Sequence, residues 1–230
     1  MASAASLPRI LLAWSSGKDG ALALHALRAE GCYEVAGLLT TFGGDGRVSH
    51  HGVPLALVEQ QARSLGVPLI AVTVSEGMTH EQYGNMMRRT MEAQRQAGII
   101  GVAYGDLFLE DLRRYREDNM RRVDMEAIFP LWMRDTQSLA RDFLALGFRA
   151  VLVAVDGQAL APRLLGRVYD ESLLAELPAG VDPCGENGEF HTFTYDGPGF
   201  GYPVMFDLGA ARSDDGRHHH IAMEPIRVGR

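Results

Sequence analysis

The sequence contains one lysine, Lys18, which stands in a short run of serine and glycine, Ser15-Ser16-Gly17-Lys18-Asp19-Gly20. Every other strongly basic residue is arginine. A composition that otherwise uses arginine indicates that this position needs a compact ammonium group, which enters a narrow phosphate-binding loop more readily than a planar guanidinium. The single lysine therefore favours a role in anion binding.

The segments on either side of this run predict a strand, a loop and a helix. Residues 9–14 form a short apolar run typical of a buried strand, and residues 21–30 predict a helix that ends at Gly31. The free N–H groups and the positive dipole end of such a helix would point at the loop, where they can bind phosphate. The alternative is an ordinary turn whose serines and glycines act only as cap and hinge.

The run resembles the pyrophosphate-binding loop of the PP-loop ATPases, whose usual form is S-G-G-K-D-S. It is not a Walker A loop, which needs four residues between its glycines and Ser or Thr after the lysine. Ser16 stands in place of a glycine, so that a Cβ could come between backbone and phosphate, and Gly20 replaces a serine that would contact pyrophosphate. The resemblance implies that ATP is cleaved between its α and β phosphates, with Mg²⁺ held near Asp19.

A second group of reactive side chains, Glu186, Glu189 and His191, lies in a glycine-rich segment. A strand beginning at Glu189 would place Glu189 and His191 on one face. Two carboxylates and an imidazole could orient an amine and accept its proton, so we expect these three residues to face the nucleotide cleft and act in catalysis. A hairpin with exposed acids and a divalent metal site of unfamiliar spacing are the alternatives.

Strand-like and helix-like segments alternate along the chain, which predicts an α/β fold with a parallel sheet and helices on both faces. The predicted strands are 9–14, 34–41, 68–74, 99–104 and 149–155, and the predicted helices are 21–30, 54–65, 79–98, 107–126 and 136–146. The chain beyond Asp156 is predicted to be rich in loops. We expect a boundary near Ala127, with a nucleotide-binding domain over 1–127 and a smaller substrate region over 128–230.

Ligands of such sheets bind at the carboxyl ends of the strands. This rule places Thr40, Gly105 and Asp106 on the same edge as the lysine loop, with adenine expected near the end of the second strand. Asp106 is expected to act in catalysis or metal binding, or to cap the helix that follows it. Both roles can hold at once.

The segment G-E-N-G-E-F-H-T-F, taken together with the lysine loop, is similar to the diphthine–ammonia ligase family. Shorter matching pieces extend the resemblance from Ile10 to Phe206: His51–Val53, Tyr104–Leu107, Leu109–Leu112, Pro130–Trp132 and Asp196–Pro198. The resemblance implies a Rossmann-like domain of the adenine nucleotide α-hydrolase type, and a reaction in which ATP activates a carboxylate that ammonia then attacks. The nucleotide-binding residues it implies are Ser15, Ser16, Gly17, Lys18, Asp19, Gly20, Thr40, His51 and Gly105, and the catalytic residues are Lys18, Asp106, Glu186, Glu189 and His191.

The partners expected from this resemblance are ATP, Mg²⁺, ammonium and a carboxylate that is either a small molecule or carried on a protein. The short chain, the H-H-G-V run and the arginine-rich composition resemble bacterial members, for which the acceptor is open; a carboxylate or amide on a cofactor such as a corrinoid is one class. An ATP-independent amide hydrolase, a tRNA-modifying PP-loop enzyme and a nucleotide sensor are the alternatives.

The net charge of −7 speaks against a broad nucleic-acid surface. No apolar run reaches the length of a membrane span, so a cytoplasmic location is expected, and a homodimer is left open. Arg116 falls on the apolar side of the predicted helix 107–126, where packing of its stem is expected and contact with a substrate anion is the alternative. Cys184 is expected to be a buried thiol rather than a nucleophile, and His218–His220 to lie in a tail or loop.

Overall fold

The computed structural model describes residues 6–213 and 215–226. Its first half is a five-stranded parallel sheet in the order β3-β2-β1-β4-β5. The strands are β1 (Arg9–Ala13), β2 (Glu34–Gly43), β3 (Leu69–Val74), β4 (Ile99–Ala103) and β5 (Glu126–Ile128). The helices of this half are α1 (Lys18–Glu30), α2 (Leu55–Leu65), α3 (His80–Gln96) and α4 (Glu110–Arg121).

Helices cover both faces of this sheet, as the alternating pattern predicts. Successive side chains of a strand point to opposite faces. In β1, Ile10 and Leu12 pack with apolar residues of α1 and α2, whereas Leu11 packs with Met91 of α3 and Met120 of α4. The parallel, two-faced α/β architecture is therefore confirmed.

The second half forms a separate four-stranded antiparallel sheet in the order β7-β6-β9-β8. Its elements are α5 (Thr136–Ala145), β6 (Arg149–Asp156), α6 (Glu171–Glu176), β7 (Phe190–Asp196), β8 (Phe206–Ser213) and β9 (His218–Pro225). The prediction of a loop-rich region beyond Asp156 holds as far as Glu189, where α6 is the only α-helix, but three strands follow. The assignment of His218–His220 to a tail or loop is wrong, because these residues begin β9. Strand β8 is almost wholly exposed, so it lacks the apolar alternation by which a strand is identified in sequence.

Two further boundaries differ from the sequence prediction. The helix expected over 107–126 is shorter, because α4 ends at Arg121 and the chain then forms β5. The expected domain boundary at Ala127 falls inside β5, which is the edge strand of the parallel sheet. The division into 1–127 and 128–230 stays a prediction.

The two sheets are joined by one continuous apolar core. Leu24 and Leu27 of α1 belong to the same buried cluster as Val153 of β6 and Phe193 of β7. Strand β7 also reaches the loop before α1, where the Thr194 amide donates a 2.9 Å hydrogen bond to the Ser16 carbonyl. The second sheet is therefore positioned to form one wall of any site at that loop.

Candidate active site

The segment Ser15–Gly20 comprises the turn after β1 and the first residues of α1, and all of its residues except Ser16 line a cavity of ≈ 1030 Å³. The cap residue of α1 is Gly17, which has no side chain. The Lys18 N–H donates to the Thr192 hydroxyl at 3.0 Å, so the N–H groups of Asp19 and Gly20 are the ones that an anion could bind. Leu39 and Thr41 of β2 and the segment after β4 line the same cavity. The carboxyl ends of three parallel strands thus meet the loop, as expected.

A buried glutamine on α2 holds the loop in place. Gln61 is fully buried; its amide nitrogen donates to the carbonyls of Ser16 (3.0 Å) and Thr194 (2.6 Å), and its oxygen accepts the Trp14 indole N–H (2.8 Å). Our sequence reasoning missed this residue. The available signal is a glutamine on the apolar side of α2, three residues after Val58 and one before Ala62. A buried polar side chain requires partners, which here are the loop and β7.

Ser16 has a left-handed backbone, with φ of 76°. Its side chain is fully buried and does not line the cavity, so its Cβ does not come between the backbone and a phosphate. Its hydroxyl has no hydrogen-bond partner among residues 6–213 and 215–226. The replacement of the family's glycine therefore strains the loop without blocking it.

Ser16→Gly is expected to stabilise the protein by about 1 kcal/mol, because glycine relieves the left-handed strain and removes an unpaired hydroxyl, against a smaller entropy cost. The check is the unfolding temperature, which should rise by about 2–4 °C for a chain of this size. Ser75→Gly, at an exposed serine, is the matched control and should not stabilise. A lower unfolding temperature for Ser16→Gly would contradict this account.

Two glycines allow the loop to be packed closely. A Cβ on Gly20 would lie 3.3 Å from Cε3 of Trp14, so the serine usual in the family would press on that ring. A Cβ on Gly105 would lie 3.0 Å from the carbonyl carbon of Asp19. The chain that follows β4 therefore lies directly against the loop, and a side chain at either position would have to push its neighbour back by a few tenths of an ångström.

Lys18 is buried with its ammonium group surrounded by partners. Nζ donates to both carboxylate oxygens of Asp19 at 2.8 Å and to the carbonyl oxygen of Cys184. It lies 5.9 and 5.7 Å from the ring centroids of Tyr169 and Phe190. Burial acts to lower the pKa of Lys18, but its interactions with Asp19, Cys184 and Tyr169 together outweigh burial and hold the pKa above its usual value. The loop therefore carries a permanent cation.

Asp106 lines the cavity and forms a bidentate ion pair with Arg116, whose Nε and Nη2 each donate to one carboxylate oxygen. The cap of α4 is Leu109, so the expectation that Asp106 caps this helix is wrong. Arg116 also lines the cavity, with its guanidinium carbon 4.3 Å from the Tyr104 ring centroid. The charged end of Arg116 therefore lies at the candidate site, paired with Asp106, and its contact with a substrate anion stays a prediction.

Glu186 lies across the same cavity, and its Oε1 accepts a 2.7 Å hydrogen bond from the Leu107 amide. Burial raises the pKa of Glu186 to about 7, the Leu107 N–H opposes the rise, and the carboxylates of Asp19 and Asp106 add to it. A carboxyl group with a pKa near neutral exchanges a proton readily at working pH. Glu186 is therefore the best general base among the predicted catalytic residues.

Glu189 does not face the cavity, contrary to the prediction. Its carboxylate accepts hydrogen bonds of 3.0 Å from the amides of Asp182 and Asn187 and from the Asn187 side chain. Strand β7 begins at Phe190, so Glu189 lies in the preceding turn and does not share a strand face with His191. Its contacts shape the turn that carries Glu186.

His191 lines the cavity beside His51, with 4.4 Å between the ring centroids. His51 Nδ1 lies 3.2 Å from the Thr192 carbonyl oxygen. Burial lowers the pKa of His51 to about 4, and burial with the neighbouring His51 and His50 lowers the pKa of His191 well below 6.5. Both imidazoles are neutral at pH 7, which favours hydrogen bonding to a ligand over proton uptake.

Two other predicted positions are placed as follows. The Thr40 hydroxyl is buried and donates to the Trp14 carbonyl at 2.7 Å, while the next residue, Thr41, lines the cavity. Thr40 therefore binds the backbone just before the loop and does not line the cavity. Cys184 is buried, and burial raises the pKa of its thiol to about 12, so the expected unreactive thiol is confirmed.

The fold and the loop together define the class of protein: a Rossmann-like nucleotide-binding protein with an anion loop after its first strand. Family models described as the diphthamide synthase N-terminal domain and the diphthamide synthase C-terminal domain match residues 8–127 and 135–211. The chain belongs to the diphthamide synthase family. Membership makes it an ATP-dependent ligase of the amide-forming class, and the hydrolase and tRNA-modifying alternatives are not favoured.

Relatives from three mammals carry the name diphthine–ammonia ligase. The rat protein is 27% identical over 235 residues, covering 88% of this chain and 84% of the rat protein. The human and mouse proteins are 28% and 30% identical over 179 and 183 residues, covering 70% and 71% of this chain. These matches span 64% and 65% of the human and mouse proteins. Within the described residues, no helix is long and apolar enough to span a membrane.

Proposed function

We propose that this protein uses ATP to activate an acceptor carboxylate and then joins ammonia to it, releasing AMP and pyrophosphate. One observation carries the proposal. The three residues after Tyr104 connect the phosphate loop to the acidic signature, because Gly105 packs on Asp19, Asp106 lines the cavity, and the Leu107 amide binds Glu186. A nucleotide on the loop and a base for an attacking amine would thus be held side by side.

ATP fits the loop through charge and backbone geometry. Lys18 supplies a cation, and the start of α1 supplies the N–H groups of Asp19 and Gly20, since the Lys18 N–H is already bound to the Thr192 hydroxyl. Leu39 and Thr41 at the end of β2 line the cavity where we propose the adenosine lies. His51, whose ring is neutral, lies on the same wall and can donate or accept one hydrogen bond.

Magnesium fits this site only with help from phosphate oxygens. Across residues 6–213 and 215–226, no group of three histidine, cysteine or acidic residues is arranged to hold a metal ion. Mg²⁺ commonly uses one or two carboxylates together with substrate phosphates and water. Asp19 is our candidate ligand, with Asp106 as the other carboxylate at the loop. A bound Mg²⁺ would neutralise charge on the departing pyrophosphate.

Glu186 suits the amination step. Ammonium must lose a proton before its nitrogen can attack, and a carboxylate with a pKa of about 7 can accept it. The nitrogen then bonds to the activated acyl carbon, and AMP leaves with the electron pair of the broken C–O bond. The nitrogen releases its surplus proton to the departing phosphate or to water, which leaves the amide. His191 lies in the same wall and is proposed to orient the amine, because its lowered pKa makes it a weak base.

The relatives' name specifies diphthine, and for this chain we propose only a carboxylate acceptor, free or carried on a larger molecule. A carboxylate on a corrinoid-like cofactor is one class to test.

We propose that the protein works in the cytoplasm, where ATP is available. A homodimer is a further proposal, which sedimentation would test.

The test is to incubate the protein with ATP, Mg²⁺, ammonium and candidate carboxylates, and to separate the nucleotide products by chromatography. We expect AMP and pyrophosphate in equal amounts, one of each per amide formed. ADP and phosphate as the sole products would contradict the proposed chemistry. Amide turnover without ATP would instead support a hydrolase.

A further inference from the structure

The cavity extends beyond the phosphate loop into a groove between α3 and α4. The whole cavity has a volume of ≈ 1030 Å³, at the upper end of the roughly 300–1,000 Å³ typical of small-molecule sites. It therefore has room for an acceptor beside a nucleotide. The groove is lined by Tyr83, Met87 and Arg88 of α3 and by Leu112, Tyr115 and Arg116 of α4. This mixture of aromatic and cationic side chains suits an organic anion.

The charges near the loop make a second cation necessary for an anionic acceptor. Asp19, Asp106 and Glu186 all line the cavity, and Lys18 is engaged by Asp19. A carboxylate entering this wall would meet like charges, which is unfavourable in a partly buried site. It therefore needs a positive partner close to the loop but distinct from the phosphate-binding lysine.

Arg116 is the arginine in the described cavity wall that meets this need. Arg88 and Arg122 are exposed, whereas the Arg116 side chain is only 28% exposed. Its Nε and Nη2 donate to Asp106, while its Nη1 has no hydrogen-bond partner in the described part of the chain. The guanidinium is thus held by Asp106, which directly follows the glycine that packs on Asp19.

Tyrosines surround the guanidinium. Tyr104 stacks under it, and Tyr115 lines the groove with 55% of its surface exposed. Burial and Tyr115 raise the pKa of Tyr83 against the effect of Arg116, so the Tyr83 hydroxyl remains protonated and can donate a hydrogen bond. A guanidinium with flanking phenol groups provides the fork and the additional donors that a carboxylate accepts.

We propose that Arg116 binds the carboxylate of the acceptor in the groove between α3 and α4, with Asp106 as the positioning residue that orients its guanidinium. This inference rests on the proposed function and adds the residue that selects an anionic acceptor. Arg116, bound to Asp106, holds the carboxylate beside the loop where ATP is bound, and Glu186 is bound to the amide of the next residue, Leu107.

The test uses trifluoroacetate as a carboxylate probe, with the protein saturated with Mg²⁺ and α,β-methylene-ATP. Fluorine NMR should show saturable line broadening for the unaltered protein. Arg116→Met should weaken probe binding by about 10- to 100-fold, the usual effect of losing charge-assisted hydrogen bonds. Arg116→Lys keeps the charge but loses the forked guanidinium, so its affinity for the probe should lie between those of the unaltered protein and Arg116→Met. Arg114→Met, on the exposed side of α4, is the matched control.

Calorimetry with the ATP analogue separates the possible failures. Unchanged analogue affinity in Arg116→Met together with loss of probe binding supports the inference. Absence of saturable probe binding in the unaltered protein, or its survival in Arg116→Met, overturns it and leaves the proposed function standing. Reduced analogue affinity in Arg116→Met with intact probe binding assigns Arg116 to the phosphates. No analogue binding by the unaltered protein defeats the proposed function itself. Thermal unfolding of each variant shows whether it is folded.

Discussion

Lys18→Met is expected to lower ATP turnover by about 10³-fold or more, because it removes the only cation in the phosphate loop. The loss of this side chain also leaves the Asp19 carboxylate and the Cys184 carbonyl without their buried partner. The measurement is pyrophosphate release at saturating ATP, with calorimetry for nucleotide affinity. Turnover and affinity equal to those of the unaltered protein would exclude the loop as the ATP site.

Lys18→Arg tests whether the loop needs the compact shape of the ammonium group as well as its positive charge. Because Nζ is enclosed by Asp19, Cys184 and the rings of Tyr169 and Phe190, a guanidinium has no room there, and we expect this variant to lose turnover as well. Arg63→Met, at an exposed arginine of α2, is the control and should behave as the unaltered protein. Thermal unfolding curves distinguish a variant that is folded but inactive from one that has not folded.

Glu186→Gln is expected to lower the amidation rate by about 10²–10⁴-fold while ATP affinity is kept, the usual scale for loss of a general base. Since the base must be deprotonated, the rate of the unaltered protein should rise with pH through about 7, the pKa of this carboxyl group. The variant should lack this rise. The measurement is amide formation against pH, at saturating ATP and with the ammonium concentration held constant.

Glu189→Gln provides the comparison for Glu186→Gln. Its carboxylate accepts three hydrogen bonds from its own turn, so the variant should lower the unfolding temperature and keep the pH-dependent rise in rate. If Glu189→Gln removed that rise and Glu186→Gln kept it, Glu189 would be the general base and Glu186 the residue that shapes the turn.

Local patterns predicted the fold well. Buried strands and amphipathic helices alternate between Arg9 and Val74, and glycine ends α1 and α2, so the parallel sheet could be read from the sequence. The second sheet could not, because β8 is exposed on both faces and its pairing with β9 is bulged between Leu208 and Ala211. Such strands exist through tertiary pairing and leave a weak periodic signal.

The sequence predicted which residue types form the candidate site better than it predicted the role of each side chain. The single lysine and the acidic signature identified the right segments, and the cavity brings Lys18, Asp106, Glu186 and His191 together. The sequence could not show that Glu189 turns into its own loop, since only two residues separate it from Glu186 and either carboxylate could face the cavity. Nor could it show that Arg116 pairs with Asp106, because that contact depends on how α4 packs against the sheet.

The hydrogen bonds between β7 and the phosphate loop also bear on when the loop can form during synthesis. The Lys18 amide bonds to the Thr192 hydroxyl 174 positions later, and Lys18 Nζ reaches a carbonyl 166 positions later. Contacts so distant along the chain form late, after nearer ones. On a ribosome, β1 and α1 would emerge early, yet the loop between them could not acquire its final shape until residue 194 had left the exit tunnel. A nascent chain would therefore carry an incomplete phosphate site for most of its translation.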